Sequence, residues 1–313
     1  MMNRKTIPLL ASGTFNPRAM SIIALVLSAG AALTPVTARG QIFVANFNNG
    51  GTSGTIGEYT TSEAAVNASL VSGLDEPFAI AVCGSDLFVV NNGNGTMGEY
   101  TTSGATVNAS LVSGLADPTG IAVAGSDLFV ANFGNGTIGE YTTSGATVNA
   151  SLVSVPNPQG IAVSGSDLFV LTYNGTIGEY TTSGAIVNAS LVSGLGENSF
   201  GIAVSGSDLF FTSQYGGTIS EYTTSGATVN ASLVSGLDYP LGIAVSGSDL
   251  FVANLFGDMI GEYTTSGDTV NASLVSGLDG PLGIAVVVPE PATGSLLLIA
   301  GTGILMRRRR QSA

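Results

Sequence analysis

The 313-residue chain contains no histidine, no tryptophan and a single cysteine, Cys83. Without histidine it lacks the commonest general base and metal ligand, and one cysteine can form no internal disulfide. No nucleophile stands beside a base, and there is no CxxC pair or phosphate-binding glycine loop. Positive charge is confined to the two ends: Arg4, Lys5, Arg18 and Arg39 in front, and Arg307, Arg308, Arg309 and Arg310 behind. Between Gly40 and Val288 there is no Lys or Arg, while twenty of the twenty-one Asp and Glu lie there, so this body carries about −20. It cannot neutralise phosphate, which excludes nucleic acid as a partner.

The basic residues that are present explain themselves. Arg4, Lys5 and Arg18 precede the apolar run MSIIALVLSAGAAL, and Val36-Thr37-Ala38 supplies the small residues of a cleavage site. Residues 1–38 therefore read as a secretory signal peptide, handled by the Sec machinery and signal peptidase. At the other end Pro289-Glu290-Pro291 is followed by an apolar segment, Ala292 to Met306, and then by the four arginines. As a helix of about 1.5 Å per residue this segment is short for a hydrocarbon core of about 30 Å, so it would span only with local thinning. The arginines would remain cytoplasmic, which puts everything before Pro289 outside.

The three parts of this tail, in this order, resemble the PEP-CTERM sorting signal of Gram-negative bacteria. The resemblance covers Val288 to Ala313. It implies that exosortase, an inner-membrane protease and transpeptidase, reads Pro289, Glu290 and Pro291 as a recognition motif. The cargo would pass through a membrane-anchored intermediate to the cell surface or extracellular matrix, beside exopolysaccharide.

The body is one unit copied along the chain. The tyrosine of GEYTTSG and its variants recurs at Tyr59, Tyr100, Tyr141, Tyr180, Tyr222 and Tyr263, at spacings of 41, 41, 39, 42 and 41 residues. A period near 40 signals a repeat architecture. One unit, from Pro118, reads PTGIAVAGSDLFVANFGNGTIGEYTTSGATVNASLVSGLAD. GIAV and DLFVAN are nearly continuous apolar runs, as in strands buried on both faces. TIGEYTT and ATVNASLV alternate, and the last puts Val148, Ala150 and Leu152 on one side and Thr147, Asn149 and Ser151 on the other, as suits a strand nearer solvent. Turn residues GSD, NG, TTSG and GLADP separate the four. Four strands graded from buried to half-exposed describe a propeller blade.

The pattern P-x-G-I-A-V, a turn, then DLFVAN is similar to the NHL repeat family, although the outer half departs from it by having Thr-Ile-Gly-Glu where a basic residue is usual. That resemblance implies a six-bladed β-propeller. The body starts at Gln41 with QIFVAN, a second strand lacking its first, and ends with GIAV at Gly283 to Val286, a first strand lacking its second. Joining the fragments completes a sixth blade and removes two open edges. The sequence thus predicts an all-β, six-bladed propeller over 41–288, closed by its two ends and flanked by a signal helix and a transmembrane helix.

In such a ring the turns between first and second strands and between third and fourth strands share one face. There GSD recurs, with Asp86, Asp127, Asp167, Asp208 and Asp249, and TTSG barely changes. The other face differs copy by copy, with blade connections DEP, ADP, PNP, GENSF, DYP and DGP and turns such as YNG, QYGG and FGDM. Asymmetry between copies is what a ligand site needs, which marks Glu76, Asp117, Tyr173, Glu197, Tyr215, Tyr239 and Asp258 as the candidate ligand face.

The glutamates Glu58, Glu99, Glu140, Glu179, Glu221 and Glu262 form a six-fold set on the third strands. Near-identical blades give them near-identical environments, which does not separate an acid from a base, so polar contacts between blades are expected of them instead. The GSD aspartates are assigned to turns through Asx-type hydrogen bonds, with Ca²⁺ ligation as the alternative for so acidic a body. Cys83 stands where other copies have Ala124, Ser164, Ser205 and Ser246, a tolerated small residue. The six Asn-Ala-Ser sequons, from Asn67 to Asn271, follow from one duplicated strand.

No cofactor is expected and no catalytic residue is assigned. The functional expectation is a non-enzymatic surface or matrix protein that contacts exopolysaccharide or another protein through its variable face. The alternative is a metal-dependent hydrolase or lactonase of the six-bladed type. That would need channel residues that break the six-fold pattern, and the first strand, read as GIAV, supplies only Gly, Ile, Ala and Val.

Overall fold

The computed structural model of the chain describes residues 40–48, 53–196 and 198–287. The expected signal peptide over 1–38, Glu197, and the tail with Pro289, Glu290, Pro291 and Arg307 to Arg310 lie outside these residues. All regular structure among the described residues is β-strand.

The first three strands are β1 (Gln41–Asn46), β2 (Gly54–Thr60) and β3 (Ala65–Leu74). Blade two consists of β4 (Pro77–Cys83), β5 (Asp86–Asn91), β6 (Thr96–Thr101) and β7 (Thr106–Ser113). Blade three has β8 (Pro118–Ala124), β9 (Asp127–Asn132), β10 (Thr137–Thr142) and β11 (Thr147–Ser154), and blade four has β12 (Pro158–Ser164), β13 (Asp167–Thr172), β14 (Thr176–Thr181) and β15 (Ile186–Ser193). Blade five has β16 (Ser199–Ser205), β17 (Asp208–Ser213), β18 (Thr218–Thr223) and β19 (Thr228–Ser235), and blade six has β20 (Pro240–Ser246), β21 (Asp249–Asn254), β22 (Met259–Thr264) and β23 (Thr269–Ser276). The last strand, β24 (Pro281–Val287), is the inner strand of blade one, whose order is β24-β1-β2-β3.

The seam reproduces an ordinary hairpin. Ile284 pairs with Val44 and Ala285 with Phe43 across the ring closure, just as Ile121 pairs with Val130 and Ala122 with Phe129 inside blade three. Only the two-residue turn is missing. In the continuous blades that turn is Gly-Ser, with Gly125 at φ 61° and Ser126 not left-handed, the type II′ geometry that suits the twist of antiparallel strands.

The core lies between blades. Phe129 and Ala131 of β9 pack toward blade four against Ile161, Leu168 and Val170. Leu128 and Val130, pointing the other way, pack against Phe88, Val90 and Met97 of blade two. Both faces of a second strand are therefore dry, which is why DLFVAN reads as an unbroken apolar run. The third strand adds Tyr141, whose ring folds back over Gly139; a Cβ there would lie 2.8 Å from the ring. Blade five has Ser220 at that position, and its Tyr222 instead meets Phe211, ring centroids 5.6 Å apart.

The outer strands depart from the expected alternation. Residues 147 to 151 of β11 are exposed on both sides, Leu152 is half-buried and Val153 is the buried anchor. The register explains it. Ile138 pairs with Val153 but Glu140 with Asn149 and Tyr141 with Thr147, so β11 bulges twice as it passes β10. Each outer strand bulges in this way, and a bulged, twisted edge is a poor template for another chain. The sequon asparagines sit at these bulges, where the Asn149 side-chain oxygen accepts a hydrogen bond from the Ser151 N–H at 3.1 Å.

Candidate functional site

The inner strands begin earlier than the GIAV motif suggests. Each starts at the residue after the blade connection, so its second residue also faces the ring axis; these are Phe78, Thr119, Gln159, Phe200, Leu241 and Leu282. The expectation that the first strand offers only Gly, Ile, Ala and Val is corrected here. Deeper in the channel the isoleucines Ile80, Ile121, Ile161, Ile202, Ile243 and Ile284 keep six-fold symmetry, and glycines beside them allow the close approach of inner strands. The ring above them breaks the symmetry.

Phe78 and Phe200 from blades two and five meet over the axis with centroids 5.2 Å apart. They floor a bowl of about 390 Å³ on the variable face, walled by Phe47, Leu241, Leu255, Phe256 and Leu282, with Gln214 and Asp258 as its polar side chains. Between Phe78 and Phe200, Thr119 and Gln159 close the other side. The Thr119 hydroxyl donates to the carbonyls of Pro158 and Gln159 at 3.1 and 3.0 Å, and Gln159 is 6% exposed with no protein partner for its Oε1.

An arc of aromatic rings extends from this bowl along its rim. Tyr239 stacks on Phe256 at 4.1 Å and meets Tyr215 edge-on at 5.5 Å, and Tyr173 meets Phe133 edge-on at 6.2 Å. A hydrogen bond to Tyr215, then burial and the nearby phenols, push the Tyr239 hydroxyl up to about 12, so it stays a proton donor. Tyr215 and Phe256 are 68% and 66% exposed, high values for rings of this size.

The candidate residues thus divide. Tyr215, Tyr239 and Asp258 belong to this arc and bowl, while Tyr173 forms a separate ring pair with Phe133. Glu76 and Asp117 do not line the bowl. Both occupy the residue before an inner strand, at φ 52° and 45°, and their equivalents Asn157, Asn198, Tyr239 and Gly280 are left-handed too. Their variation reflects what tolerates a positive φ as well as any ligand, and the Asp117 carboxylate lies over Gly134. Glu197 lies outside the described residues. Phe47, Phe78, Phe200, Gln214, Leu255 and Phe256 were not singled out from the sequence. The signal was there in the x of P-x-G-I-A-V and in the residues after DLFVAN, which change between copies while their neighbours repeat.

On the invariant face the glutamates do not bridge blades. In blades two to six each lies diagonally across its own blade from the GSD aspartate: Glu140 pairs with Phe129, two residues from Asp127. Burial, and then the like charge of the aspartate, raise Glu99, Glu140, Glu179, Glu221 and Glu262 above the usual 4.5. Blade one differs, because Gln41 stands where the others have aspartate and its amide donates to Glu58 at 2.8 Å. The aspartates accept from the preceding serine hydroxyls at 3.3 to 3.5 Å rather than making the Asx-type bond expected of them. Among the described residues no three His, Cys, Asp or Glu converge where they could hold a metal ion. Cys83 is half-buried with its thiol 3.6 Å from the Gly125 carbonyl.

No family model matches the chain, and no curated protein matches it. Solved structures do. A chain in a crystal structure of a nidogen/laminin complex is similar over 79% of this chain and 98% of its own length, at 14% identity and a TM-score of 0.66. A catalytically inactive virginiamycin B lyase from Staphylococcus aureus, solved with quinupristin, is similar over 76% of this chain and 86% of its own, at 19% identity and a TM-score of 0.54. At these identities the likeness concerns the propeller fold alone.

Proposed function

We propose that this chain is an exported, non-enzymatic β-propeller of a Gram-negative cell surface or extracellular matrix, sorted by exosortase, that binds a matrix polymer through its variable face. The observation that carries the binding half is the distribution of asymmetry. Five blades carry the same carboxylate pair on one face, whereas the other face concentrates Phe78, Phe200, Tyr215, Tyr239 and Phe256 around one bowl. Exposed aromatic rings around a half-buried apolar floor suit binding. The export half rests on the sequence of the two ends.

The alternative, a metal-dependent hydrolase or lactonase, draws support from the lyase among the similar folds. The donor set does not fit it: among the described residues the channel is lined by Ile, Gly, Phe, Ala, Thr and Leu, with no carboxylate. The reading is tested by mass spectrometry of surface and extracellular fractions together with glycan arrays and capture of matrix proteins by the secreted chain. A C-terminus near Glu290 and saturable binding lost in Phe256→Ala are expected. Full-length chain retained in the inner membrane of a host containing exosortase, or metal-dependent ester hydrolysis, would overturn it.

A further inference from the structure

Resting on that reading, we infer that the bowl over blades five, six and one is a docking site for a protein segment that presents a lysine or arginine among apolar residues. Its lining has seven apolar side chains, Phe47, Phe78, Phe200, Leu241, Leu255, Phe256 and Leu282, against two polar ones, Gln214 and Asp258. Two polar side chains are too few to satisfy the hydroxyls of a pyranose, and apolar side chains suit such a lining better.

Charge supplies the rest. Asp258 is the ionisable residue of the lining, and its Oδ1 is fixed by the Gly280 N–H at 3.1 Å, which aims the carboxylate from a left-handed backbone at φ 47°. The body from Gly40 to Val288 has no Lys or Arg and about twenty carboxylates, so an acidic partner is repelled and a basic one attracted. Phe256 lines the same bowl as Asp258, so the alkyl stem of a Lys or Arg seated at Asp258 would have apolar surface to pack on. The bowl is open, and its rim rings Tyr215 and Phe256 are two-thirds exposed, which fits an extended segment of a larger partner better than an engulfed small molecule.

The test titrates the full chain with three peptides, acetyl-Phe-Leu-Lys-Leu-amide and its Gln and Glu versions, by calorimetry at fixed ionic strength. The Lys peptide should bind about five- to tenfold more tightly than the Gln peptide, as expected for one partly screened ion pair, and the Glu peptide should be weakest. Asp258→Asn should erase the Lys-over-Gln preference, and Phe256→Ala should weaken both peptides. Asp127→Asn, on the opposite face, should change neither. Thermal melts of each variant establish that it is folded. Equal binding of the three peptides, indifference to both bowl substitutions, or an equal loss of preference in Asp127→Asn would overturn the inference. Glycan binding without peptide binding would do so too while leaving the surface-binding reading standing, and a chain found only in the cytoplasm would sink that reading without touching the titration.

Discussion

Phe78 and Phe200 belong to blades on opposite sides of the ring, yet their centroids are 5.2 Å apart at an interplanar angle of 35°. The ring closes over its own axis at the variable face. Both rings are half-buried, unlike the second-strand phenylalanines, and Phe129 is 1% exposed.

This difference predicts different costs for the same substitution. Phe129→Ala should destabilise the propeller by about 3–5 kcal/mol, as for other buried phenylalanines. Phe200→Ala should cost about 1–2 kcal/mol, since part of the ring is already wet, while merging bowl and channel into one cavity. Urea unfolding of both variants checks the ordering, and equal costs would count against the axial contact.

Ring closure predicts that deleting residues 281 to 287 bares the inner edge of β1 and leaves β20 and β4 without the strand between them. The melting temperature should fall and light scattering should report aggregation. An unchanged melt would contradict the closed ring.

Five like-charge carboxylate pairs predict a pH dependence of definite sign. Glu99, Glu140, Glu179, Glu221 and Glu262 hold protons more tightly folded than unfolded. The folded state therefore binds more protons, and its stability falls as pH rises through their raised values. The contribution is fully present below the usual Glu value of 4.5 and lost above the raised ones. Melting temperature should rise on mild acidification from neutrality, and NMR titration of Glu140 should move toward normal in Asp127→Asn.

Blade one has a hydrogen bond where the other blades have a carboxylate pair. Glu58 is 7% exposed and takes the Gln41 amide at 2.8 Å. Gln41→Ala should cost about 1.5–3 kcal/mol, the range for a hydrogen bond to a buried charge, whereas Asp86→Gln in blade two should stabilise by supplying Glu99 with a donor. Denaturant melts of the two variants should move in opposite directions.

Much of this protein is local and was written in its sequence. The period near 41, the two-sided apolar runs, the GSD and TTSG turns and the split repeat at the ends fix strands, blade count and closure, because each is decided by residues close in the chain or by identity between copies. Only the tertiary structure decided what lies across the ring or diagonally across a blade. The bulges that expose residues 147 to 151 depend on pairing between β10 and β11, not on alternation within β11. Tyr239, Tyr215 and Phe256 become one aromatic arc, and Phe78 finds Phe200, because the ring brings together residues that are 17 to 122 positions apart. Gln41 answers Glu58 because the register of β1 on β2 puts the first residue of β1 where the other blades have an aspartate. A repeat determines its own geometry, but the substitutions that break the repeat acquire meaning only from the neighbours that closure gives them.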